Sequence, residues 1–353
     1  MSSASRQAYL NTRVSVMATQ LLEPTAVNDL VTLGLPDLAE RFGLGIVLDE
    51  QLTARTKSRA LEQSLIQVLL TELTILVRPM NAAERAMVLA WARKYALYNL
   101  KTLIRGKLYH LEQSEIRSNL YDLPDNIKLP HQELFRAENV LELLRQLESG
   151  PHRLIARQAR EVYEQKREPF ALEAAIDKRY YTSLVRQVMQ FHDDNLRPLQ
   201  HLIGAELDRV GLLWLLRYRF SYGLSASETF YQLVPSFRTL HRERLLALVN
   251  RETFERTLES LPDPLSRVTA GSKTVIDVQK RMGAYVAREA RRVLRHSPSG
   301  VARSLAYLIL REMDLFMLFA LVQGKLLKLS PELVDIAVEL AEPTCQWRPA
   351  AAA

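Results

Sequence analysis

The run Trp91-Ala-Arg-Lys-Tyr-Ala-Leu-Tyr-Asn-Leu-Lys-Thr-Leu-Ile-Arg-Gly-Lys-Leu108 decides how the rest of the chain is read. Ala92, Ala96, Leu97, Leu100, Leu103 and Ile104 recur at helical spacing, so the run is the second half of an amphipathic helix that begins near Asn81. Arg105 closes it, and Gly106 is placed for the left-handed turn that ends many helices. The pattern returns twice. A shift of 112 residues puts Leu212 on Leu100, Leu215 on Leu103, Arg217 on Arg105 and Arg219 on Lys107. A shift of 218 puts Leu318, Leu321, Gly324 and Lys325 on Leu100, Leu103, Gly106 and Lys107. Three such copies in a chain of 353 residues indicate an internal threefold repeat, with units at 1–123, 124–235 and 236–353. Lys107, Arg219 and Lys325 stay basic in every copy, which predicts a ring of charge near the helix ends, facing a partner or solvent.

Composition sets outer limits. Apolar residues make up 48% and charged residues 25%, an ordinary globular balance with ample core material. The net charge of +7 fits nucleic acid, anionic lipid or an acidic protein without choosing among them. A single cysteine, Cys345, leaves no intramolecular disulfide and no cysteine-rich zinc site, and a reducing compartment fits. Met1-Ser-Ser-Ala-Ser-Arg6 lacks the apolar core of a signal peptide. Gln67 and Glu72 interrupt the most apolar stretch, so no membrane crossing is expected, although seating on a membrane remains open.

Helical signals run from end to end. A first helix is expected over 9–22, and Pro36, Gly34, Gly43 and Gly45 break Asn28–Leu48 into short pieces. A helix from Thr53 to Arg78 is stopped by Pro79, and Asn81 with Glu84 forms the capping box of the next. Further helices are expected over Glu133–Leu147, Leu154–Lys166, Phe170–Val188, Leu199–Phe220, Leu240–Leu261, Thr274–His296 and Val301–Gln323. A last helix starts at Ser330-Pro331-Glu332, and the tail after Pro343 is expected to fray.

Chemistry is sparse. Gly271-Ser-Lys-Thr274 lacks the spacing and the preceding strand of a phosphate loop, and Gly43-Leu-Gly45 is too short for a dinucleotide fingerprint. His192-Asp-Asp-Asn195 points in several directions, and the other histidines are scattered, so no metal site is assigned. Glu173 and Asp177 share a helical face, and salt bridging is favoured over paired acid–base work, with Lys178 and Arg179 nearby. No nucleophile–base pair and no cofactor motif is found, so the chain reads as non-catalytic. The strongest charged feature is Arg281, Arg288, Arg292 and Arg295 on one side of helix 274–296, with Met282, Tyr285, Val286 and Val293 on the other. The stripe is either a solvated face or a docking surface for acidic side chains or lipid phosphates. Nucleic acid is a third candidate without a recognition motif behind it.

Short motifs spread along the chain carry a resemblance. Tyr9-Leu-Asn-Thr-Arg13-Val, Tyr98-Asn-Leu-Lys-Thr-Leu-Ile-Arg-Gly-Lys107, Ile176-Asp-Lys-Arg-Tyr-Tyr181, Tyr307-Leu-Ile-Leu-Arg-Glu312 and Leu329-Ser-Pro-Glu332 fall in a familiar order. In that order the chain resembles the C subunit of the V/A-type ATPases, counterpart of the d subunit in eukaryotic vacuolar ATPases. It departs from the family at Gly211 and Met317, which stand where the first copy has Asn99, and at Tyr95, where an acid is common. The resemblance implies an all-α, funnel-shaped, pseudo-threefold repeat of three helical bundles. It also implies a non-catalytic, central-rotor subunit of a proton- or sodium-translocating ATPase, one copy per complex, peripheral to the cytoplasmic face of the membrane. Its partners would be the central-stalk subunits and the membrane proteolipid ring, with torque passing between them and no nucleic acid involved. The rival reading is a soluble helical-repeat scaffold that binds acidic proteins or nucleic acid.

Overall fold

The computed structural model describes residues 3–23 and 29–340, and every regular element among them is helical. Cys345, the tail after Pro343 and Asn28 lie outside the described residues. Nine longer helices organise the chain: α1 (Ser3–Ala18), α2 (Ala54–Val77), α3 (Ala82–Leu108), α4 (Arg153–Lys166), α5 (Pro169–Val188), α6 (Leu196–Leu216), α7 (Val275–His296), α8 (Gly300–Leu326) and α9 (Pro331–Leu340). Their starts are set by side chains that satisfy the first free N–H groups. Asn81 accepts from Glu84 N at 3.0 Å while Glu84 returns a bond to Asn81 N, and Thr274 with Asp277 repeats the device at α7. Thr53 caps α2 and Ser299 caps α8.

Two expected helices are broken. Residues 133–147 divide into His131–Arg136 and Val140–Leu147, because Asn139 caps a new start. Residues 240–261 divide likewise into Arg242–Val249 and Phe254–Glu259 at the cap Thr253. His192–Asn195 is a turn rather than helix, with Asn195 N bonded to Asp193.

The long helices pack in order. Within the pairs α2–α3, α5–α6 and α7–α8, consecutive helices touch; between pairs, α3 packs on α5, α6 on α7, and α8 returns to α2. Leu100, Leu212 and Leu318, with Leu103, Leu215 and Leu321, are all buried, so the repeated apolar positions form one continuous core. α2 is the one described helix long and apolar enough to cross a membrane by length and composition. Here it is a core helix: Leu61, Leu65, Leu69, Leu73 and Leu76 are buried, and its Glu72 accepts from Tyr307 Oη at 2.8 Å and Arg311 Nε at 3.2 Å.

Gly106 and Gly324 do not make the left-handed turn expected of them. α3 and α8 run two residues further, and the positive-φ positions are His110 (φ 51°) and Lys328 (φ 53°). The glycines serve close packing instead. A Cβ on Gly106 would stand 2.3 Å from Ile116, and one on Gly324 would stand 2.7 Å from Val334. Ile116 lies in the short helix Gln113–Ser118, and Val334 in α9, the helices that follow α3 and α8. The second copy has Tyr218 at this position, and Arg217–Ser221 widens into a π-helical turn. That turn absorbs one extra residue. Leu111 N and Leu329 N reach back to Gly106 O and Gly324 O, while Leu224 N must reach Tyr218 O, and Gly223 (φ 69°) takes the left-handed turn. Gly106→Ala is expected to lower unfolding free energy by about 1–2 kcal/mol, overpacking outweighing the helix-propensity gain. Gly106→Ala with Ile116→Ala should recover most of the loss relative to Ile116→Ala alone in urea titration.

Candidate functional site at the crossing of the long helices

Lys94, Glu206 and Glu312 occupy one position of the repeat by the same shifts of 112 and 218 that align the apolar residues. They come together where α3, α6 and α8 approach one another. Lys94 Nζ lies 2.5 Å from Glu312 Oε2 and 4.0 Å from the ring centre of Trp91, and Tyr95 Oη donates to Glu312 Oε1. The Glu312 side chain is 4% exposed, so this cation and hydroxyl replace nearly all of its water. Glu206 is paired with Arg209 at 2.7 Å. Burial works to raise the Glu206 carboxyl, but Arg209, and then Lys94, outweigh it and hold it below the usual carboxylate range. The Lys94 ammonium thus pairs directly with Glu312 and acts at longer range on Glu206. Apolar periodicity passed over this group, since register was judged on leucines. The legible signal was a charged residue in every copy at one register position, with one sign opposed to the other two.

Glu173 and Asp177 are salt-bridged, as their spacing suggests, but across helices rather than to Lys178 and Arg179. Arg105 makes two bonds to Glu173, at 2.6 and 2.5 Å, and Lys101 lies 2.5 Å from Asp177. Cations four apart on α3 therefore match acids four apart on α5. Burial nonetheless keeps Asp177 above its ordinary pKa despite Lys101. In the next copy Arg217 donates to the neutral Gln279 on α7 at 2.6 Å, so the contact position persists without the ion pair.

Lys107, Arg219 and Lys325 are half-buried, and each is occupied by a main-chain carbonyl. Lys107 Nζ donates to Phe135 O at 2.8 Å, Arg219 Nε to Val249 O at 3.0 Å, and Lys325 Nζ to Val31 O at 2.7 Å. The three cations of the expected ring thus also pin short segments to the ends of long helices. A second set accompanies them. Asp208 Oδ1 accepts from Leu240 N at 2.8 Å, and Asp314 Oδ2 from Leu22 N at 2.9 Å. Asp208 precedes Arg219 by the same eleven residues that separate Asp314 from Lys325, and Leu240 precedes Val249 by the nine that separate Leu22 from Val31. Leu22 and Val31 therefore hold the places against α8 that Leu240 and Val249 hold against α6.

Arg281, Arg288, Arg292 and Arg295 are all exposed on α7, opposite the buried Met282, Tyr285, Val286 and Val293. Among histidines, His201 bonds Glu289, whose carboxyl falls to about 2 through that bond and Arg238. His152 is buried, and burial, then Arg93, lowers it to about 4. Among the described residues no three His, Cys, Asp or Glu side chains stand close enough to share a metal ion. A hollow of about 740 Å³ lies on the outer side of α2 between Gln63, Gln67, Thr71 and Asp122, away from the central cluster.

Long helices closed upon each other through buried ion pairs and main-chain staples define an all-helical structural protein. The chain belongs to the ATP synthase (C/AC39) subunit family, whose profile matches residues 10–335. It is similar to the C subunit of the A-type ATP synthase of Methanocaldococcus jannaschii, 23% identical over 92% of this chain and 84% of the relative. It is equally similar to the same subunit of Methanosarcina barkeri, 23% identical over 94% of this chain and 92% of the relative. As a member of this family the chain is a non-catalytic component of an ATP synthase-type machine.

Proposed function

We propose that this chain is the central-rotor socket of a V/A-type ATPase, a funnel of three similar helical bundles seated between the central stalk and the membrane proteolipid ring. The contact order carries this reading: α3 on α5, α6 on α7, and α8 back on α2 form a closed cycle, with equivalent residues Lys94, Glu206 and Glu312 meeting at its middle. A body of that kind suits torque transfer, because load entering one pair reaches the other two through packed interfaces. The three units keep the boundaries 1–123, 124–235 and 236–353 in covalent order, with Leu22, Val31 and the short helix Leu35–Phe42 packed against the third. One copy per complex, seated peripherally on the cytoplasmic face of the membrane, follows from the same reading.

Tyr109, Tyr222 and Leu327 follow the three long helices at matching places and are 53%, 54% and 47% exposed. Three large apolar groups at equivalent positions supply one coaxial docking end. Co-expression of the tagged chain with its neighbouring genes should recover proteolipid and stalk subunits together. In Tyr109→Lys/Tyr222→Lys/Leu327→Lys, one of these partners should fall at least about tenfold while the other stays. Recovery of neither partner by the unaltered chain would sink the socket reading, and full recovery by the triple variant would remove this end from it.

A further inference from the structure

The outer face of α7 lies apart from both the central cluster and the helix ends. Arg281, Arg288, Arg292 and Arg295 share it, and each is exposed. Among the described residues, none of the four has a carboxylate within ion-pair distance; Arg281 donates to Ala270 O, and Arg288 leans on the Tyr285 ring at 6.0 Å. Other exposed arginines do hold acids: Arg157 pairs with Glu161, Arg256 with Glu252 and Arg267 with Asp263. The acids of α7 itself are turned to other tasks. Asp277 caps the helix through Thr274 N and Lys273 N, and Glu289 is held by His201 of α6 and by Arg238 from the loop before residue 242. The strip is therefore a row of cations without direct ion pairs, Asp277 alone acting on its first member, Arg281, from a distance.

We propose that this face docks an acidic α-helix of a partner protein, laid lengthwise along α7. From Arg281 to Arg295 the row spans fourteen residues, roughly 21 Å at 1.5 Å per residue, about four turns of a facing helix. Its spacing of seven, four and three residues is the spacing at which carboxylates recur along one side of such a helix. Ala284 is exposed between Arg281 and Arg288, so a partner backbone can approach there without meeting a bulky side chain. A membrane surface is a poorer fit. Reaching all four cations would require α7 to lie flat on the headgroups, while α6 and α8 flank it along its inner side. The face is distinct from Tyr109, Tyr222 and Leu327, so its role is independent of the socket reading.

The test uses the full chain and a labelled helical peptide of about 20 residues with glutamates three and four apart, at about 50 mM and about 300 mM salt. Binding should be salt-sensitive, and Arg288→Glu/Arg292→Glu should weaken it at least about tenfold while circular dichroism stays helical. A peptide with lysines in place of the glutamates should bind the reversed chain and not the original. Arg157→Glu/Arg256→Glu, which changes net charge equally, should leave the glutamate peptide bound. If the reversed chain loses helicity, Arg281→Gln/Arg288→Gln/Arg292→Gln/Arg295→Gln takes its place. The proposal is overturned by equal loss in the control variant, by no loss in either strip variant, or by a strip-dependent response confined to phosphatidylglycerol vesicles or duplex DNA.

Discussion

Replacing Lys94 by methionine is expected to lower the unfolding free energy by about 3 kcal/mol, the scale for stripping a buried ion of its partner. The mechanism is specific to the central cluster. Glu312 would keep only the Tyr95 hydroxyl while remaining almost wholly enclosed, and Glu206 would lose the second of the cations that hold it ionised. Arg209 is already engaged with Glu206, through bonds of 3.1 and 2.7 Å. Methionine retains much of the alkyl volume of lysine, so packing against Trp91 is not the cause of the loss. Adding Glu312→Gln should restore most of it, since an amide needs no counter-charge. Urea unfolding of the two variants measures both quantities. A Lys94→Met loss below about 0.5 kcal/mol would mean that the cluster is well hydrated and contributes little.

The second large effect concerns Asp314 and has a definite sign in pH. Burial raises this carboxyl to about 6, against a lowering by the Leu22 N–H bond and by Arg311 and Arg291. An acid whose pKa rises on folding favours the folded state while protonated. Its contribution is complete below its unfolded pKa of about 4 and is lost as pH climbs through about 6. Asp314→Asn can still accept the Leu22 N–H and carries no charge at any pH. The variant should therefore match the parent near pH 4 and exceed it above pH 7, by at most about 3 kcal/mol. Melting temperatures of both proteins across that range provide the check, and a gap that does not vary with pH would show that Asp314 is not buried as an acid. The residue matters because it fastens Leu22 to α8, near the packing of α8 on α2.

The same joint shows where reading residues in order stops being informative. Caps such as Asn81 with Glu84 and Thr274 with Asp277, the stop at Pro79 and the leucine register are local, acting within a turn or two of helix. They determined the helical class, nearly all the long helices and the family, and the resemblance was borne out over residues 10–335. Partner choice is a different kind of information. Asp177 has basic neighbours at 178 and 179, yet its ion pair is Lys101, because α5 packs on α3 and presents that face to it. Gly106 looked like a helix stop, but the deciding fact was the approach of Ile116. Lys107, Arg219 and Lys325 are legible as a recurring basic position, but the distant carbonyls they bond are not. By itself the sequence determined which residues form helices, since hydrogen bonding and capping are satisfied within each helix. Only the tertiary structure decided which cation meets which acid, and that Leu22 and Val31 dock on α8. Those pairings join residues up to about 290 positions apart, and they follow from helix packing rather than from any local pattern.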